Sequence, residues 1–216
     1  MYHNKITNIA DEFKQHYICY NPHSDGKALN IKEYMKINGS KINTLSIDPG
    51  SRNFAIRKQC RINDGGILNI VPLLFERVDM KNNVGNIIEC VHGYLEKNYE
   101  KYFKDCHLII VEKQMAVNYT TVRISQAVIT YFMTKMANNS LHSVIIEIGP
   151  KMKGDLLGAG KLTKLQLKQW AVDKAIEILT ARGDTQSLEV LRRHNKRDDL
   201  ADAVLQEEAA MIMLLS

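Results

Sequence analysis

Several features that mark particular classes of protein are scarce or absent in this sequence of 216 residues. Its four cysteines lie far apart with no C-x-x-C pair, which disfavours both a zinc site and a disulfide framework. No apolar run approaches the ~20 residues of a membrane span, and the N-terminus has no hydrophobic signal core. No arginine precedes Arg52, unlike the arginine-rich mitochondrial presequences. We therefore expect an intracellular protein in a reducing compartment, the cytoplasm or the nucleus, with no membrane partner.

The composition is that of an ordinary globular protein, with 45% hydrophobic and 25% charged residues. The net charge of +5 and the pI near 8.9 are compatible with a polyanionic partner without requiring one. Residues 1–41 contain few aliphatic side chains and show little periodicity apart from a short helix predicted around 9–17. We interpret 1–41 as an N-terminal appendage and 42–216 as one domain.

The stretch 42–57 organises the domain. An apolar run leads to Asp48, Pro49 and Gly50 interrupt the run, and a second apolar run resumes at Phe54, which predicts two antiparallel strands joined by a tight turn. A third strand is predicted at 67–75, after a turn rich in Asn, Asp and Gly. Three antiparallel strands in a meander result.

The rest of the domain alternates helices and strands. Helix 84–95 precedes a short apolar strand at 108–111 that ends on Glu112, and Thr163 with Gln166 forms a capping box after a loop rich in glycine and lysine. A basic segment, Arg192 to Arg197, precedes the last helix. The remaining predicted elements are a helix at 119–137, a strand at 143–148, a helix opened by Thr163 and a helix at 198–215. The order β-β-β-α-β-α-β-α-α predicts an α/β fold, a mixed sheet flanked by helices.

Four acids stand out within this order. Asp48 and Glu112 end two strands, while Asp199 and Asp202 lie three residues apart on one face of the last helix. The purely structural alternatives are that Asp48 caps its own turn and that the acids at the start of the last helix interact with the helix dipole or cap the helix, with Asp198 as the natural N-cap. If the acids converge, their repulsion calls for hard divalent cations, and four carboxylates suit two Mg²⁺ ions that hydrolyse phosphodiesters.

Four motifs carry a resemblance to a known family. They are I-D-P-G-S-R-N at 47–53, V-E-K-Q at 111–114, P-K-M-K-G-D-L-L-G-A-G-K-L-T-K at 150–164 and D-D-L-A-D-A at 198–203. In this order and spacing they resemble the motifs of RuvC-type Holliday junction resolvases of the RNase H-like superfamily, in particular those encoded by poxviruses and related large DNA viruses. The resemblance spans about residues 42–210.

The resemblance implies both a fold and an activity. The fold is an RNase H-like sheet of five strands, three antiparallel and then two parallel. The activity is that of an endonuclease that resolves four-way DNA junctions with two Mg²⁺ ions, for which Mn²⁺ can substitute, and without a small-molecule cofactor. Paired nicks imply a homodimer. A viral member would act in the host cytoplasm.

The resemblance also assigns roles to residues. Asp48, Glu112, Asp199 and Asp202 match the metal ligands, and two basic residues of the family's active site match Lys153 and Lys164 in the loop before a helix. Proximity to the strand-end acids makes four further side chains candidates for DNA contact, and two loop lysines are weaker candidates. The former are Arg52, Gln114, Asn118 and Arg123, and the latter are Lys151 and Lys161. Arg52 could instead pair with Asp48, and loop lysines are usually solvated.

Three other functions compete with this hypothesis. The same fold could bind junctions or structured RNA without cutting, or act as a general RNase H-like ribonuclease. A nucleotide-binding kinase or ATPase of the actin-like fold also begins with an acid after its first strand. Such proteins need two phosphate loops and a far longer chain, so the length and the terminal D-x-x-D disfavour them.

Overall fold

A computed structural model describes residues 17–20, 40–81, 86–138 and 143–215, and a six-stranded sheet forms its centre. The strand order is β1-β6-β5-β2-β3-β4. β2, β3 and β4 form an antiparallel meander, and β5 and β6 continue the sheet in parallel with β2, which confirms the predicted arrangement of five strands. The strands are β1 (Tyr17–Tyr20), β2 (Lys41–Pro49), β3 (Phe54–Asp64), β4 (Ile67–Val78), β5 (Leu108–Glu112) and β6 (Val144–Ile148).

The sixth strand, β1, comes from the segment that the sequence placed outside the domain. It pairs antiparallel with β6, with Tyr17 opposite Ile148, so this part of residues 1–41 belongs to the sheet. Tyr17 begins a strand and does not end a helix, whereas the rest of the helix predicted around 9–17 lies outside the described residues. The division of the chain at residue 41 stays a prediction.

A tight turn joins β2 to β3 directly after Asp48. The amide of Gly50 donates to the Asp48 carbonyl at 2.9 Å. A Cβ on Gly50 would lie 2.7 Å from the carbonyl oxygen of Asn53, closer than non-bonded atoms approach, so this turn needs glycine. The sequence D-P-G therefore fixes where the strand ends and where its acid stands.

Helices cover the sheet, and two of them were not predicted. The segment before Thr163 was predicted as a loop but contains α3, which begins at Pro150 and stops at Gly158 in the left-handed conformation, φ 83°. The first two residues of the predicted basic linker, Arg192 and Arg193, are the end of α5. The helices are α1 (Ile87–Asn98, followed by a π-helical turn, Tyr99–Phe103), α2 (Tyr119–Asn138), α3 (Pro150–Leu157), α4 (Lys164–Ala181), α5 (Thr185–Arg193) and α6 (Arg197–Leu215).

The capping box predicted at Thr163 and Gln166 is present and opens α4. Ala171, Val172 and Ala175 form the packed face of this helix, whereas Leu167 is 44% exposed. The last helix begins one residue earlier than expected. As a result Asp198 lies inside its first turn and is not its N-cap.

Apolar side chains alternate between the two faces of the sheet and bury both. Leu45 and Ile47 of β2 pack against α1 and α2, whereas Ile110 of β5 packs on the opposite face with Ala210 of α6. The continuous burial of β5 follows from its position between β6 and β2, with both faces covered. In the described ranges, no helix combines the length and apolarity that crossing a membrane requires.

Candidate active site

Two carboxylates meet at one edge of the sheet, where β2 and β5 end. The two strands are parallel neighbours, and the register partners Ile47 and Val111 are each followed by an acid, Asp48 and Glu112. Side chains alternate along a strand, and Thr44 of β2 donates a hydrogen bond to α6. Asp48, four residues further on, therefore points to the same face. The strand-end acids thus face the last helix.

Helix α6 brings the other two acids to this edge. Burial raises the pKa of Asp48 well above its ordinary value, and the negative charges of Glu112, Asp202 and Asp199 raise it further. The same repulsion from Glu112, together with burial, raises the pKa of Asp202. All four predicted acids thus interact electrostatically, although they come from three separate elements. We call Asp48, Glu112, Asp199 and Asp202 the acid cluster.

A lysine lies inside the acid cluster. The Nζ atom of Lys153 is 2.7 Å from Oε1 of Glu112 and 2.9 Å from Oδ1 of Asp202, and the residue is 5% exposed. Burial alone would lower the pKa of Lys153, but the carboxylates of Glu112, Asp202 and Asp48 raise it. The ammonium therefore stays charged and offsets part of the repulsion between the acids. α3 supplies this side chain from the third residue after its proline.

Asp199 provides a buried acceptor with no hydrogen-bond donor in the described structure. Its Oδ2 atom is buried and unpaired, in contrast to the ion-paired Asp202. Burial and the neighbouring charge of Asp198 raise the pKa of Asp199 from 3.8 to about 6. A buried carboxylate oxygen without a donor is costly unless a cation completes it.

The ligand atoms of the acid cluster are of the chemical type that binds a hard divalent metal ion. All are carboxylate oxygens, which Mg²⁺ and Mn²⁺ prefer, and Asp199 offers one with no other partner. Among the residues that the structure describes, however, no three His, Cys, Asp or Glu side chains surround a common point. Lys153 bridges two of the acids instead. The residues therefore fit a metal ion provided that the Lys153 ammonium withdraws from Glu112 and Asp202.

Three solved structures share this architecture. The yeast mitochondrial Holliday junction resolvase matches 97% of this chain and 93% of its own, with a TM-score of 0.58 and 12% identity. The fowlpox virus resolvase, solved with substrate Holliday junction DNA, matches 81% of this chain and 100% of its own, with a TM-score of 0.56 and 19% identity. Thermus thermophilus RuvC matches 80% of this chain and 96% of its own, with a TM-score of 0.52 and 15% identity.

The chain has the fold of RuvC-type Holliday junction resolvases. This confirms, at the level of the fold, the resemblance that the four motifs indicated. Viral relatives also appear by sequence: uncharacterized protein 170L of Invertebrate iridescent virus 6, 28% identical over 134 residues, and uncharacterized protein 97L of Invertebrate iridescent virus 3, 31% identical over 112. The chain spans about half the length of these relatives, 54% and 51%. No family model matches it.

On this resolvase fold, Gln114 contacts the acid cluster in a way that the sequence did not predict. It was a candidate for DNA contact, yet its Nε2 atom donates to Oε2 of Glu112 at 3.0 Å and to the Glu112 carbonyl at 3.3 Å. Lys153 holds the other carboxylate oxygen of Glu112. The orientation of this acid is therefore set by donors on both of its oxygens.

Asp198, next to the acid cluster, pairs with a cation of its own. Lys168 of α4 donates to its carboxylate, and this hydrogen bond lowers the pKa of Asp198 although burial acts in the opposite direction. The contact ties the start of α6 to α4. Asp198 thus has a structural partner, which distinguishes it from the unpaired Asp199.

The remaining candidates have exposed side chains. Lys164, the first residue of α4, is exposed and forms no ion pair with the acids in the described part of the chain. Arg52 is likewise exposed and is not paired with Asp48, so the structure does not support the alternative of a structural pair there. Arg123 lies over the ring of Tyr119, 5.6 Å from its centroid. The other exposed candidates are Asn118, Lys151 and Lys161.

Sequence analysis missed a set of buried polar side chains beneath the acid cluster. Arg57 of β3 is fully buried and bonds to Asp184 and Glu207, and Gln206 of α6 is also fully buried. A usable signal existed, because Gln206 and the two glutamates after it interrupt the apolar stripe of the last helix. Polar residues at core positions must find partners, and these three find theirs on β2, β3 and β5.

The raised pKa of Asp199 gives a testable pH dependence. The folded protein binds a proton on Asp199 between pH 4 and 6, whereas the unfolded chain does not, so this group's contribution to stability falls as pH rises through that window. In the presence of EDTA, we expect the free energy of unfolding by urea to fall less between pH 4.5 and 7.5 in Asp199→Asn than in the wild type. Asp173→Asn, an exposed aspartate on α4, should behave as the wild type does. Identical pH slopes for Asp199→Asn and wild type would refute this.

Proposed function

We propose that this protein is a metal-dependent endonuclease that cuts four-way DNA junctions. The observation that carries the proposal is the acid cluster itself, four coupled carboxylates at the ends of β2 and β5 and on α6, with Lys153 between them. Structural packing alone does not favour such a cluster, because each buried carboxylate opposes ionisation of the others. A site for hard cations accounts for all four.

Each residue of the cluster has a proposed role. Asp48, Glu112, Asp199 and Asp202 would hold a pair of Mg²⁺ ions, or Mn²⁺ in their place. Bound there, the ions would activate a water molecule and stabilise the negative charge that develops on the scissile phosphate. Gln114 orients Glu112 through its amide. Lys153 keeps its positively charged ammonium next to the acids, and this ammonium would swing towards the phosphate of a bound substrate.

The proposed substrate surface consists of exposed polar and basic side chains. Arg52, Asn118 and Arg123 follow the strand-end acids Asp48 and Glu112 along the chain, while Lys151 and Lys161 lie in and after α3, the helix that carries Lys153. The positive charges among them suit a phosphate backbone. The fowlpox virus and Thermus proteins of the same fold were solved with Holliday junction DNA. By extension, we propose that branched DNA is the partner of this chain, and that a homodimer makes the two symmetric nicks. The proposed DNA contacts are Arg52, Asn118, Arg123, Lys151 and Lys161, whereas Lys164 is proposed to act at the active site.

A panel of labelled substrates tests this function. The protein is incubated with Mg²⁺ and a four-way junction, a matched duplex or an RNA–DNA hybrid, and the products are separated on a denaturing gel. We expect paired nicks in the junction and little cutting of the other two. Junction binding without any nick would indicate a binding module, and cutting of the RNA strand would indicate a ribonuclease.

Lys164 offers a test of the second basic residue. An ammonium at the start of α4 lies beside free backbone N–H groups, where phosphate binding is favourable. We expect Lys164→Ala to slow cleavage by about tenfold to a hundredfold, because a donor to developing charge is lost, while junction affinity changes less than about threefold. The measurement compares single-turnover cleavage with binding by gel shift. Equal losses in both would reassign Lys164 to a plain DNA contact.

The matched control for Lys164 is Lys104→Ala. Lys104 is also an exposed lysine, but it precedes β5 at the sheet edge opposite Glu112 and pairs with Glu100 at 3.0 Å. Its replacement should leave both the cleavage rate and the junction affinity unchanged.

A further inference from the structure

One amide side chain connects the three elements that carry the acid cluster. Gln206 of α6 is fully buried, and its Nε2 atom donates to the carbonyl of Ile47 on β2 at 3.2 Å and to the carbonyl of Ile110 on β5 at 3.0 Å. An amide nitrogen carries two protons, so both are used. The side chain therefore bridges two adjacent strands from a helix that packs over them.

The bridge lies near three of the four acids in the cluster, Asp48, Glu112 and Asp202. Ile47 immediately precedes Asp48, and Ile110 stands two residues before Glu112. Gln206 itself lies four residues after Asp202, which is one helical turn along the same face of α6. A shift of this one amide would thus be felt at both strand ends and on the helix.

The strand ends need such a bridge because their own pairing stops short of the acids. The ladder between β2 and β5 ends with Ile47 opposite Val111, and Asp48 and Glu112 come after it. These two carboxylates repel one another. Beyond that rung Asp48 pairs with Ala55 of β3 and Glu112 pairs with Ile148 of β6, on the outer sides of the two strands. Gln206 ties β2 directly to β5 at the last rungs, through the carbonyls of Ile47 and Ile110.

We propose that Gln206 is a positioning residue that sets the separation of the β2 and β5 ends, and through it the preference of the acid cluster for Mg²⁺. This rests on the proposed function. Mg²⁺ requires nearly ideal octahedral geometry with oxygens at about 2.0–2.1 Å, whereas the larger Mn²⁺ takes the same oxygen donors and tolerates a less regular coordination shell. Loosening the strand ends therefore impairs Mg²⁺ binding more than Mn²⁺ binding.

The test replaces Gln206 with methionine, which keeps length and volume but donates no hydrogen bond. We expect the Mg²⁺ concentration that gives half-maximal cleavage to rise about tenfold in Gln206→Met, and the corresponding Mn²⁺ concentration to rise less than about threefold. Calorimetric titration of the full chain with each ion, without DNA, should show the same ratio of affinities. An unchanged ratio in both experiments would overturn the proposal.

Two further variants separate positioning from plain stability. Gln59 of β3 is also a fully buried glutamine, bonded to Arg57 at 3.0 Å, and Gln59→Met should lower the melting temperature while leaving the ratio of Mg²⁺ to Mn²⁺ affinity as in the wild type. Gln206→Asn keeps the amide but withdraws it by one methylene, and should show a smaller change in the same direction. It decides the question if Gln206→Met does not fold.

The outcomes also distinguish this proposal from the proposed function. If the wild type binds Mg²⁺ but cuts no junction, the function fails, and the calorimetric ratio still tests Gln206. If the wild type cuts junctions and both Gln206 variants keep the wild-type ratio, the function stands and the positioning role falls.

Discussion

Replacing Asp48 with asparagine is expected to lower the rate of junction cleavage by at least about a thousandfold, with junction affinity within about threefold of the wild type. Asparagine keeps the shape of the side chain but removes its negative charge, which interacts with the charges of the three other acids. Electrostatic groups of this kind contribute about a hundredfold to a thousandfold each when they act directly on the reaction, and a metal ligand acts through the ion as well. Single-turnover cleavage and gel-shift binding measure the two quantities.

The same variant has an expected effect on stability of the opposite sign. Burial and repulsion both raise the pKa of Asp48, so its charge destabilises the metal-free fold at neutral pH. In EDTA at pH 7.5, Asp48→Asn should therefore be at least as stable as the wild type. The control is Asp155→Asn, an exposed acid of α3, which should cleave normally. Wild-type cleavage by a folded Asp48→Asn would contradict the assignment of this acid.

Replacing Arg57 with methionine is expected to lower the free energy of unfolding by about 3–5 kcal/mol, the cost of breaking a buried ion pair. Its guanidinium bonds to Asp184 at 2.9 Å, Glu207 at 3.2 Å, Ser187 at 2.7 Å and Gln59 at 3.0 Å, and no part of it is exposed. Methionine fills part of the volume but leaves two buried carboxylates without this partner. The total free energy of unfolding of a folded domain is only about 5–15 kcal/mol, so this loss is a large part of it.

Urea unfolding at pH 7 measures this loss, and Arg193→Met is the matched control. Arg193 pairs with Glu189 at i,i+4 on the exposed face of α5, where an ion pair contributes about 0.5 kcal/mol or less. A loss below about 1 kcal/mol in Arg57→Met would show that the network does not hold α5 and α6 to β3. Because α6 carries Asp199 and Asp202, a folded Arg57→Met should also cleave more slowly.

The acid cluster was predictable from sequence because it depends on strand ends. Asp48 and Glu112 each terminate an apolar run, and parallel neighbouring strands end at the same edge of a sheet. The D-x-x-D spacing placed Asp199 and Asp202 on one helix face for the same kind of reason. These features are local in sequence, and the regular geometry of helices and strands determines directly where such side chains point.

The position of Lys153 was not predictable in this way. The segment from Pro150 to Gly158 has the start and stop signals of a helix, but its eight helical residues include a glycine and two lysines and show little periodicity. Interpreted as a loop, it placed Lys153 beside the site, whereas the helix buries its ammonium among the acids. The roles of Lys153 in the reaction and of Lys164 stay predictions.

Buried charge inside a strand was the other feature that the sequence concealed. Arg57 and Lys58 in β3 resemble the polar positions of a half-exposed strand, yet both are buried, because α5 and α6 supply acids and Asp105 pairs with Lys58. Long-range pairs of this kind leave no periodic trace. β1 was missed for a related reason, since its four residues pair with a strand more than a hundred residues away.

The most direct measurement is anomalous scattering from a crystal of the protein with a four-way junction, soaked in Mn²⁺. We expect Mn²⁺ within coordination distance of Asp48, Glu112, Asp199 and Asp202, and the Nζ atom of Lys153 turned away from Glu112 and Asp202. Bound DNA with no anomalous peak at these carboxylates, and Lys153 still bridging the two acids, would contradict the proposed metal-dependent cleavage.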